Sequence, residues 1–279
     1  MTTDQNPAPV TPTPAPEALL QSEAEVLAEA RRRSRRSFVG LGLAGLAGLG
    51  GWKWLISQPG DSGIPQPLRK ALDANGRLSQ AYFKETRLAP EFARSRAETP
   101  RINGRIGLDE ELDLAAWRLH VQGYDAGKNK EFTLADIQAL PKVEMTTELK
   151  CIEGWSIVVH WAGARLSDFL NRYPLATHSG RPVNPLNPPA DLAPFVGMRT
   201  PDEKYYVGLD IASALHPQTL LCYEMNGAPL TAAHGAPLRL VTPLKYGIKH
   251  LKRIGTIAFA DTRPKDYWAE LGYDWDAGH

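Results

Sequence analysis

The feature that most limits what this chain can fold into is an apolar run of 19 residues, 38–56, which is interrupted only by Lys53. As an α-helix the run would be about 28 Å long, which is just enough to cross the hydrocarbon core of a bilayer. Five arginines stand directly before it, at positions 31, 32, 33, 35 and 36. A buried glycine- and leucine-rich helix rarely has such a basic entrance, so the run predicts a membrane anchor or the apolar part of an export signal. The positive-inside rule places the arginines in the cytoplasm.

The arginine cluster contains a second signal. The segment Ser34-Arg35-Arg36-Ser37-Phe38-Val39 resembles the twin-arginine export signal, an address that is read by the export machinery. This resemblance implies export of a protein that has already folded around a cofactor. Residues 50–62 contain no clear small-x-small cleavage site followed by a polar start. We therefore expect an uncleaved anchor, with the folded part on the periplasmic or extracellular face of the cytoplasmic membrane, and a cleaved signal is the alternative.

Composition divides the chain into four parts. Residues 1–37 are expected to form a cytoplasmic n-region, disordered where Pro, Ala and Thr dominate and helical over about 16–33. Residues 38–56 are the anchor. Prolines and glycines between positions 59 and 67 predict a linker and an irregular wrap over residues 57–100, and residues 101–279 form the folded domain.

The pattern of residues 101–279 predicts an α+β fold. Leu119 and Val121 alternate with polar neighbours, which is typical of a half-buried strand, and we extend this strand back to Trp117. Thr133 predicts a helix N-cap, and a second alternating run ends at Cys151. Further strands are expected over 195–200, 219–223, 238–241 and 254–259, with short helices over 166–170 and 210–215. Many strands with a few short helices indicate mixed sheets that form a barrel-like core.

Charge and cysteine content exclude several functions. The chain has 32 Lys+Arg and 31 Asp+Glu, a net charge of +1, so its electrostatics do not favour a nucleic-acid partner. Its two cysteines, Cys151 and Cys222, are too few for a disulfide scaffold, an all-cysteine iron–sulfur site or a four-cysteine zinc site. Cys151 precedes a glycine-bearing turn, where its sulfur could reach a ligand. The alternatives are a core position for this thiol and a Cys151–Cys222 disulfide in an exported protein.

A second segment, residues 234–252, is rich in turns and basic residues. Arg239, Lys245, Lys249 and Lys252 fall close together around two glycines. Backbone amides at such turns, joined by Lys and Arg, suit a phosphate. A solvated basic face is the alternative.

Three short motifs in register carry a family resemblance. They are Cys151-Ile-Glu-Gly-Trp-Ser, His216-Pro-Gln-Thr-Leu and Gly235-Ala-Pro-Leu-Arg-Leu, the last continuing into Pro243-Leu-Lys-Tyr-Gly-Ile-Lys. Over residues 117–268 the chain resembles the oxidoreductase molybdopterin-binding domain of the sulfite oxidase family, and within it the bacterial branch of periplasmic methionine sulfoxide reductases. The resemblance implies a sulfite-oxidase-like fold with Mo-molybdopterin as its cofactor.

The same resemblance assigns site residues. It makes Cys151 the thiolate ligand of molybdenum, and Glu153, two residues further on, becomes the candidate acid that relays protons near the metal. It implies cofactor contacts from Asn103, Thr200, His234, Arg239, His250, Leu251 and Lys252. Arg239 would pair with the pterin phosphate, and residues 250–252 would hold that phosphate through backbone amides and the Lys252 ammonium.

Several of these residues have simpler interpretations. Thr200 could be an ordinary strand threonine, and Asn103 a turn-forming residue before glycine. Glu153 could be a rim carboxylate paired with a lysine. His234 departs from the reductase branch, which has asparagine at the corresponding position.

These assignments imply an exported, membrane-tethered molybdenum–pterin oxidoreductase that transfers one oxygen atom. Reduction of an S- or N-oxide, such as methionine sulfoxide in a small molecule or a protein, is the expected direction. Oxidation of sulfite or another reduced sulfur compound with a cytochrome acceptor is the alternative, although Ile152-Glu153-Gly154 lacks the basic residues of the sulfite-oxidising branches. No Cys-x-x-Cys-His haem motif occurs, so electrons are expected from a partner such as a membrane b-type cytochrome. A tethered binding module without metal is the alternative outside the enzymes.

Overall fold

The computed structural model describes residues 23–61, 64–82, 87–125 and 127–279. These residues divide into two units, one ending at Gln58 and one beginning at Pro59. In the first unit a single helix, α1 (Glu23–Ser57), contains both the arginine cluster and the apolar run. Its segment Leu27–Ser57 is, in the described part of the chain, the one helical stretch long and apolar enough to cross a membrane; a signal sequence has the same properties. The expected disordered segment and the start of the helix near residue 16 lie outside the described residues.

Near its start the second unit contains a helix that the sequence analysis did not predict. A two-stranded ladder of β1 (Gly60–Asp61) and β2 (Ile64–Pro65) leads into α2 (Gln66–Tyr82). The expectation of irregular backbone throughout residues 57–100 is therefore wrong over α2. Proline is tolerated in the first turn of a helix, where its missing N–H has no partner to lose. Contacts from the far end of the chain then hold α2 in place, including the bond from Arg69 Nη2 to the Ala269 carbonyl at 3.0 Å.

Apart from β1 and β2, the described strands of the second unit form two five-stranded sheets. In chain order the strands are β3 (Leu119–Gln122), β4 (Lys130–Phe132), β5 (Lys142–Lys150), β6 (Ser156–Arg165), β7 (Phe195–Arg199), β8 (Tyr206–Asp210), β9 (Leu220–Met225), β10 (Ala228–Pro229), β11 (Arg239–Val241) and β12 (Thr256–Ala260). One sheet has the order β10-β9-β6-β5, with β11 also paired to β9, and the other has the order β4-β3-β12-β7-β8. The β3–β12 pair is parallel and the other pairs are antiparallel. The mixed α+β class is confirmed.

Short helices connect and cover these sheets. They are α3 (Leu134–Gln138), α4 (Leu166–Arg172), α5 (Ile211–Leu215) and α6 (Tyr267–Glu270). The predicted N-cap of α3 is confirmed, because Thr133 and Asp136 form a reciprocal capping box. The strand predicted from Trp117 begins instead at Leu119, although Trp117 is buried and its indole N–H donates to the Ile254 carbonyl at 3.1 Å.

A glycine permits the close approach of β6 and β9. The register of this pair shifts between Ala162 and Gly163. A Cβ atom at Gly163 would lie 2.3 Å from the Leu221 carbonyl oxygen and 2.7 Å from the Cys222 Cα. Any side chain there would push apart two strands at the centre of their sheet.

Two buried ion pairs fix the C-terminal segment to the loop that follows β11. Lys249 Nζ lies 2.5 Å from Asp266 Oδ2, and Lys245 Nζ lies 2.6 Å from Asp276 Oδ1, with all four side chains at most 3% exposed. These two lysines are therefore neutralised inside the protein. The prediction that they join Arg239 and Lys252 around a phosphate is wrong for this pair.

Candidate active site

Cys151 is presented by a tight turn between β5 and β6. Its backbone N–H donates to the Trp155 carbonyl at 2.9 Å, and its carbonyl accepts from the Gly154 N–H at 3.1 Å. Gly154 has a φ of +85°, a left-handed conformation that glycine adopts without strain. The thiol is free and partly exposed. The turn therefore places a sulfur at the end of a rigid strand, as the alternation of β5 predicted.

A cavity opens beside this thiol, with about 960 Å³ of empty space including the part open to solvent. Much of its wall is apolar or aromatic, including Leu149, Ile157 and Trp161. The polar lining contains seven of the nine predicted site residues, which are Asn103, Cys151, Glu153, His234, Arg239, His250 and Lys252. Residues that are up to 149 positions apart in the chain thus meet around one space.

Three polar side chains meet at the Cys151 end of the cavity. Asn103 Nδ2 lies 3.8 Å from Cys151 Sγ and 3.4 Å from Glu153 Oε2. The Trp155 indole N–H donates to the same Glu153 oxygen at 2.8 Å. Both partners of Oε2 are donors, so this oxygen is fixed as an acceptor, and the other carboxylate oxygen has no protein partner among the described residues. The guanidinium of Arg101 covers the outer face of Trp155 at 4.7 Å from the ring centroid.

Arg239 supplies a buried positive charge at another part of the wall. It is 3% exposed, its Nη1 donates to the His234 carbonyl at 3.2 Å, and its Cζ lies 5.0 Å from the Trp161 ring. Its Nε is buried without a partner, and no carboxylate of the described residues forms an ion pair with it. Burial lowers the pKa of this guanidinium to about 10. A buried cation with an unsatisfied donor favours an anion in the adjoining space.

Both histidines of the cavity are held in the neutral form. Burial, with the charges of Arg239 and Lys252, lowers the pKa of His234. Burial and Arg239 lower the pKa of His250 to about 3. His250 Nε2 lies 3.0 Å from the Thr242 carbonyl, so it carries the proton, and the buried Nδ1 has no partner. His250 therefore keeps one buried ring nitrogen without a hydrogen-bond partner among the described residues.

Lys252 was predicted to contact a phosphate, but its ammonium donates to main-chain carbonyls instead. Its Nζ lies 2.6 Å from the Asn103 carbonyl, 3.1 Å from the Gly104 carbonyl and 3.0 Å from the Ala233 carbonyl. Burial and the charge of Arg239 lower its pKa to about 8. Three carbonyls use all three ammonium donors, so none is free for a phosphate in this arrangement.

Two predicted site residues do not line the cavity. Thr200 is buried beneath Gly107, where an added Cβ would lie 2.5 Å from its side chain, and its hydroxyl donates to Asp202 at 2.6 Å. Leu251 is in the hydrophobic core. Two of the three amides of the predicted phosphate loop are also engaged, since His250 N–H donates to the Gly247 carbonyl at 3.0 Å and Leu251 N–H to the Lys249 carbonyl at 2.8 Å.

Other lining residues were missed by the sequence assignments. Gly247 and Ile248 stand inside a motif that carried the resemblance, so attention to that motif could have found them. Tyr205 has no local signal: it reaches the cavity because its hydroxyl donates to the Ile248 carbonyl at 2.6 Å.

The alternative Cys151–Cys222 disulfide does not form. Both thiols are free. Cys222 is fully buried, its Sγ donates to the Glu224 carbonyl at 3.1 Å, and burial raises its pKa to about 11. Cys222 is therefore an inert core residue, and Cys151 remains available to a ligand.

These features fit an anionic cofactor that carries a metal. A thiolate is a ligand that soft and high-valent transition metals accept. In the described part of the chain no group of three or more His, Cys, Asp or Glu side chains could hold a metal ion, so further ligands to a metal at Cys151 would come from its cofactor. Arg239 would face the negative charge of that cofactor, and the neutral histidines would offer it hydrogen-bonding atoms.

Comparison with known proteins agrees with this chemistry. The family described as "Oxidoreductase molybdopterin binding domain" matches residues 106–268. A protein of Azospira oryzae named "Putative protein-methionine-sulfoxide reductase subunit YedZ1" is 36% identical over 200 residues, which is 70% of each chain. The protein-methionine-sulfoxide reductase catalytic subunit MsrP of Xanthomonas campestris is 36% identical over 162 residues, 57% of this chain and 50% of that protein. The chain thus spans about half the length of that relative.

Among solved structures, the sulfane dehydrogenase SoxCD of Paracoccus pantotrophus aligns with a TM-score of 0.45 at 18% identity, over 55% of this chain and 40% of that chain. A score this low does not by itself establish a common fold. The family match covers more than half of the chain and contains Cys151, Glu153 and the basic residues Arg239 and Lys252 of the cavity wall. The chain therefore belongs to the molybdopterin-binding oxidoreductases of the sulfite oxidase family, and it is an enzyme whose cofactor is a molybdopterin.

Proposed function

We propose that this protein is an exported, membrane-tethered enzyme that removes the oxygen atom of an S- or N-oxide, such as methionine sulfoxide in a small molecule or a protein. The observation that carries the proposal is the grouping of Cys151, Asn103 and Glu153 at one end of a cavity whose wall also holds Arg239, a buried cation without a carboxylate partner among the described residues. Relatives named as methionine sulfoxide reductases support the same direction.

Two groups of residues would have separate roles, one in binding the cofactor and one in transferring protons. Cys151 would bind the molybdenum and Arg239 the anionic tail of the pterin. When bound, Mo-molybdopterin supplies two-electron redox chemistry and the acceptance of an oxygen atom. Reduction of a sulfoxide consumes two electrons and two protons and releases a thioether and water. Glu153 would relay these protons, because Trp155 and Asn103 fix one of its oxygens and leave the other open.

The carboxylate beside the thiol also distinguishes between substrates. Glu153 Oε2 and Cys151 Sγ are both within reach of the Asn103 amide, so negative charge lies close to the reacting end of the cavity. A neutral sulfoxide tolerates this charge better than the sulfite anion does. Assays in both directions separate the two reactions: reduction of methionine sulfoxide by a reduced dye should exceed oxidation of sulfite.

The central test is the metal content of purified protein. Cys151→Ser should lose both molybdenum, measured by mass spectrometry of the metal, and sulfoxide reduction. Cys222→Ser is the control for loss of a thiol, because Cys222 is buried and does not itself line the cavity. Wild-type protein without molybdenum, isolated from a host that makes the cofactor, would remove the proposal.

The proposed location is tested separately. The helix α1 would be the anchor, the twin-arginine machinery would export the folded enzyme, and a membrane b-type cytochrome or another electron-transfer partner would reduce it. Replacing Arg35-Arg36 by Lys-Lys should leave the protein in the cytoplasm. Replacing Arg31-Arg32 by Lys-Lys, outside the motif, should not. Equal export of both variants contradicts a twin-arginine route.

A further inference from the structure

Lys252 connects two segments that lie far apart in the sequence. Its ammonium accepts no hydrogen bonds and donates to three carbonyls, two from residues 103 and 104 and one from residue 233. Among the described residues no carboxylate pairs with it. The Lys252 nitrogen is surrounded by three main-chain oxygens at 2.6 to 3.1 Å, so its hydrogen bonds stabilise the fold and are not available to an anionic ligand.

The two connected segments form part of the cavity wall. Residues 101–104 have neither helix nor strand, and they contain exposed positions on either side of Asn103. The turn of residues 231–235 contributes His234 to the same cavity. Packing reinforces the connection, because a Cβ at Gly235 would lie 2.7 Å from the Lys252 Cβ. The Lys252 side chain thus ties this irregular segment to the 231–235 turn.

Asn103 is the residue whose placement depends on this connection. Its carbonyl accepts the shortest of the three Lys252 bonds, 2.6 Å, while its side-chain amide reaches Cys151 Sγ at 3.8 Å. We propose that Lys252 is a positioning residue that ties residues 101–104 to the 231–235 turn and so holds the Asn103 amide over the Cys151 thiol. Only one of the tests below, the retention of molybdenum, rests on the proposed function.

This role differs measurably from that of a phosphate contact. A residue that only attracts the cofactor's phosphate has no effect on Cys151 when the cofactor is absent. An arginine at position 252 would also keep that attraction. A positioning lysine behaves otherwise, because loss of its three bonds frees Asn103 even in cofactor-free protein. A planar guanidinium does not reproduce three donors around one nitrogen.

The test measures alkylation of Cys151 in the full chain purified from a host that cannot make the cofactor. Iodoacetamide labelling is followed on the peptides by mass spectrometry, and labelling of the buried Cys222 reports any global unfolding. Lys252→Met and Lys252→Arg should both label Cys151 about tenfold faster than wild type. The loss of one or two net hydrogen bonds raises, by about that factor, the fraction of molecules in which Asn103 has moved away from the thiol. Lys204→Met, which removes an exposed lysine bonded to Glu110, should not change the rate.

A double variant tests whether Lys252 acts through Asn103. Asn103→Ala should also speed labelling, and Asn103→Ala with Lys252→Met should label no faster than the faster single variant. Additive effects would contradict the proposal, as would a wild-type rate in Lys252→Arg or in folded Lys252→Met. Lys252→Gln, which is polar but uncharged, replaces Lys252→Met if Cys222 labelling shows that the latter is unfolded, and the same acceleration is expected.

A second readout uses the loaded enzyme. Lys252→Met and Lys252→Arg should lose molybdenum faster than wild type during dialysis, and equal retention contradicts the positioning role. Absence of molybdenum from the wild type would overturn the proposed function instead, and the thiol measurement would still decide the role of Lys252.

Discussion

Replacing Arg239 with methionine should have opposite effects on the empty and the loaded protein. The guanidinium is buried, it lacks a carboxylate partner among the described residues, and its Nε makes no hydrogen bond. In the empty cavity this charge opposes folding, whereas a cofactor anion would compensate it.

The magnitude follows from the lowered pKa of Arg239. A fall from 12.5 to about 10, at about 1.36 kcal/mol per pH unit, corresponds to about 3 kcal/mol. Methionine gives up the contact with Trp161 and the bond to the His234 carbonyl, each of which stabilises the fold by about 1 kcal/mol. We expect cofactor-free Arg239→Met to be about 1 kcal/mol more stable than wild type, which raises the melting temperature by about 2–4 °C for a domain of this size.

The assay compares thermal melting of cofactor-free full chains with the molybdenum content of chains from a cofactor-producing host. Arg239→Lys keeps the charge, so it should not stabilise the empty protein. The methionine variant should bind little molybdenum. A lower melting temperature for empty Arg239→Met would refute the reasoning, since it would mean that the guanidinium stabilises the cavity without an anion.

Three further substitutions test the scaffold. Asp266→Asn leaves the charge of Lys249 buried without its partner, so denaturant unfolding should show a loss of about 3–5 kcal/mol; a loss below 1 kcal/mol would mean that solvent reaches the pair. Burial depresses the pKa of His250 from 6.5 to about 3. Between these pH values the unfolded chain binds a proton at this histidine that the folded chain does not bind. The free energy of unfolding therefore falls as the pH falls from 6.5 towards 3. His250→Gln should remove about 2 kcal/mol of the loss between pH 7 and pH 5, measured by urea unfolding at both values, and an unchanged difference would contradict it. Gly163→Ala should cost about 3 kcal/mol through overpacking against Leu221, seen as a lower unfolding midpoint, and a midpoint equal to that of wild type would show that the strands can separate.

The sequence predicted those parts of the fold that depend on neighbouring residues. The alternating run that ends at Cys151 predicted a strand and Thr133 predicted a helix cap. Both are present in the structure, although burial does not alternate along β5. Helix α2 was missed because the contacts that hold it come from residues near position 269. Its own sequence does contain a helical signal, since Pro67 lies in the first turn and Leu68, Ala71 and Leu72 recur at helical spacing.

The site was predictable in composition but not in geometry. The motifs identified most residues of the cavity wall, because the spacing of a family motif carries its residues to the same place. They did not reveal which side chains face elsewhere: Thr200 packs beneath Gly107 and Leu251 lies in the core. The partners of Lys252 are carbonyls from residues 103, 104 and 233, and no pattern around position 252 indicates them.

The buried pairs of Lys245 with Asp276 and of Lys249 with Asp266 have a consequence for biosynthesis. Both lysines are made before their acidic partners, so a nascent chain that has not yet released residues 266–276 from the ribosome holds two uncompensated charges where its interior should close. Completion of the domain therefore waits until residues 266–276 have been translated, long after residues 34–39 have emerged. The proposed export of a folded protein is compatible with a domain whose interior closes only after residues 34–39 have left the ribosome.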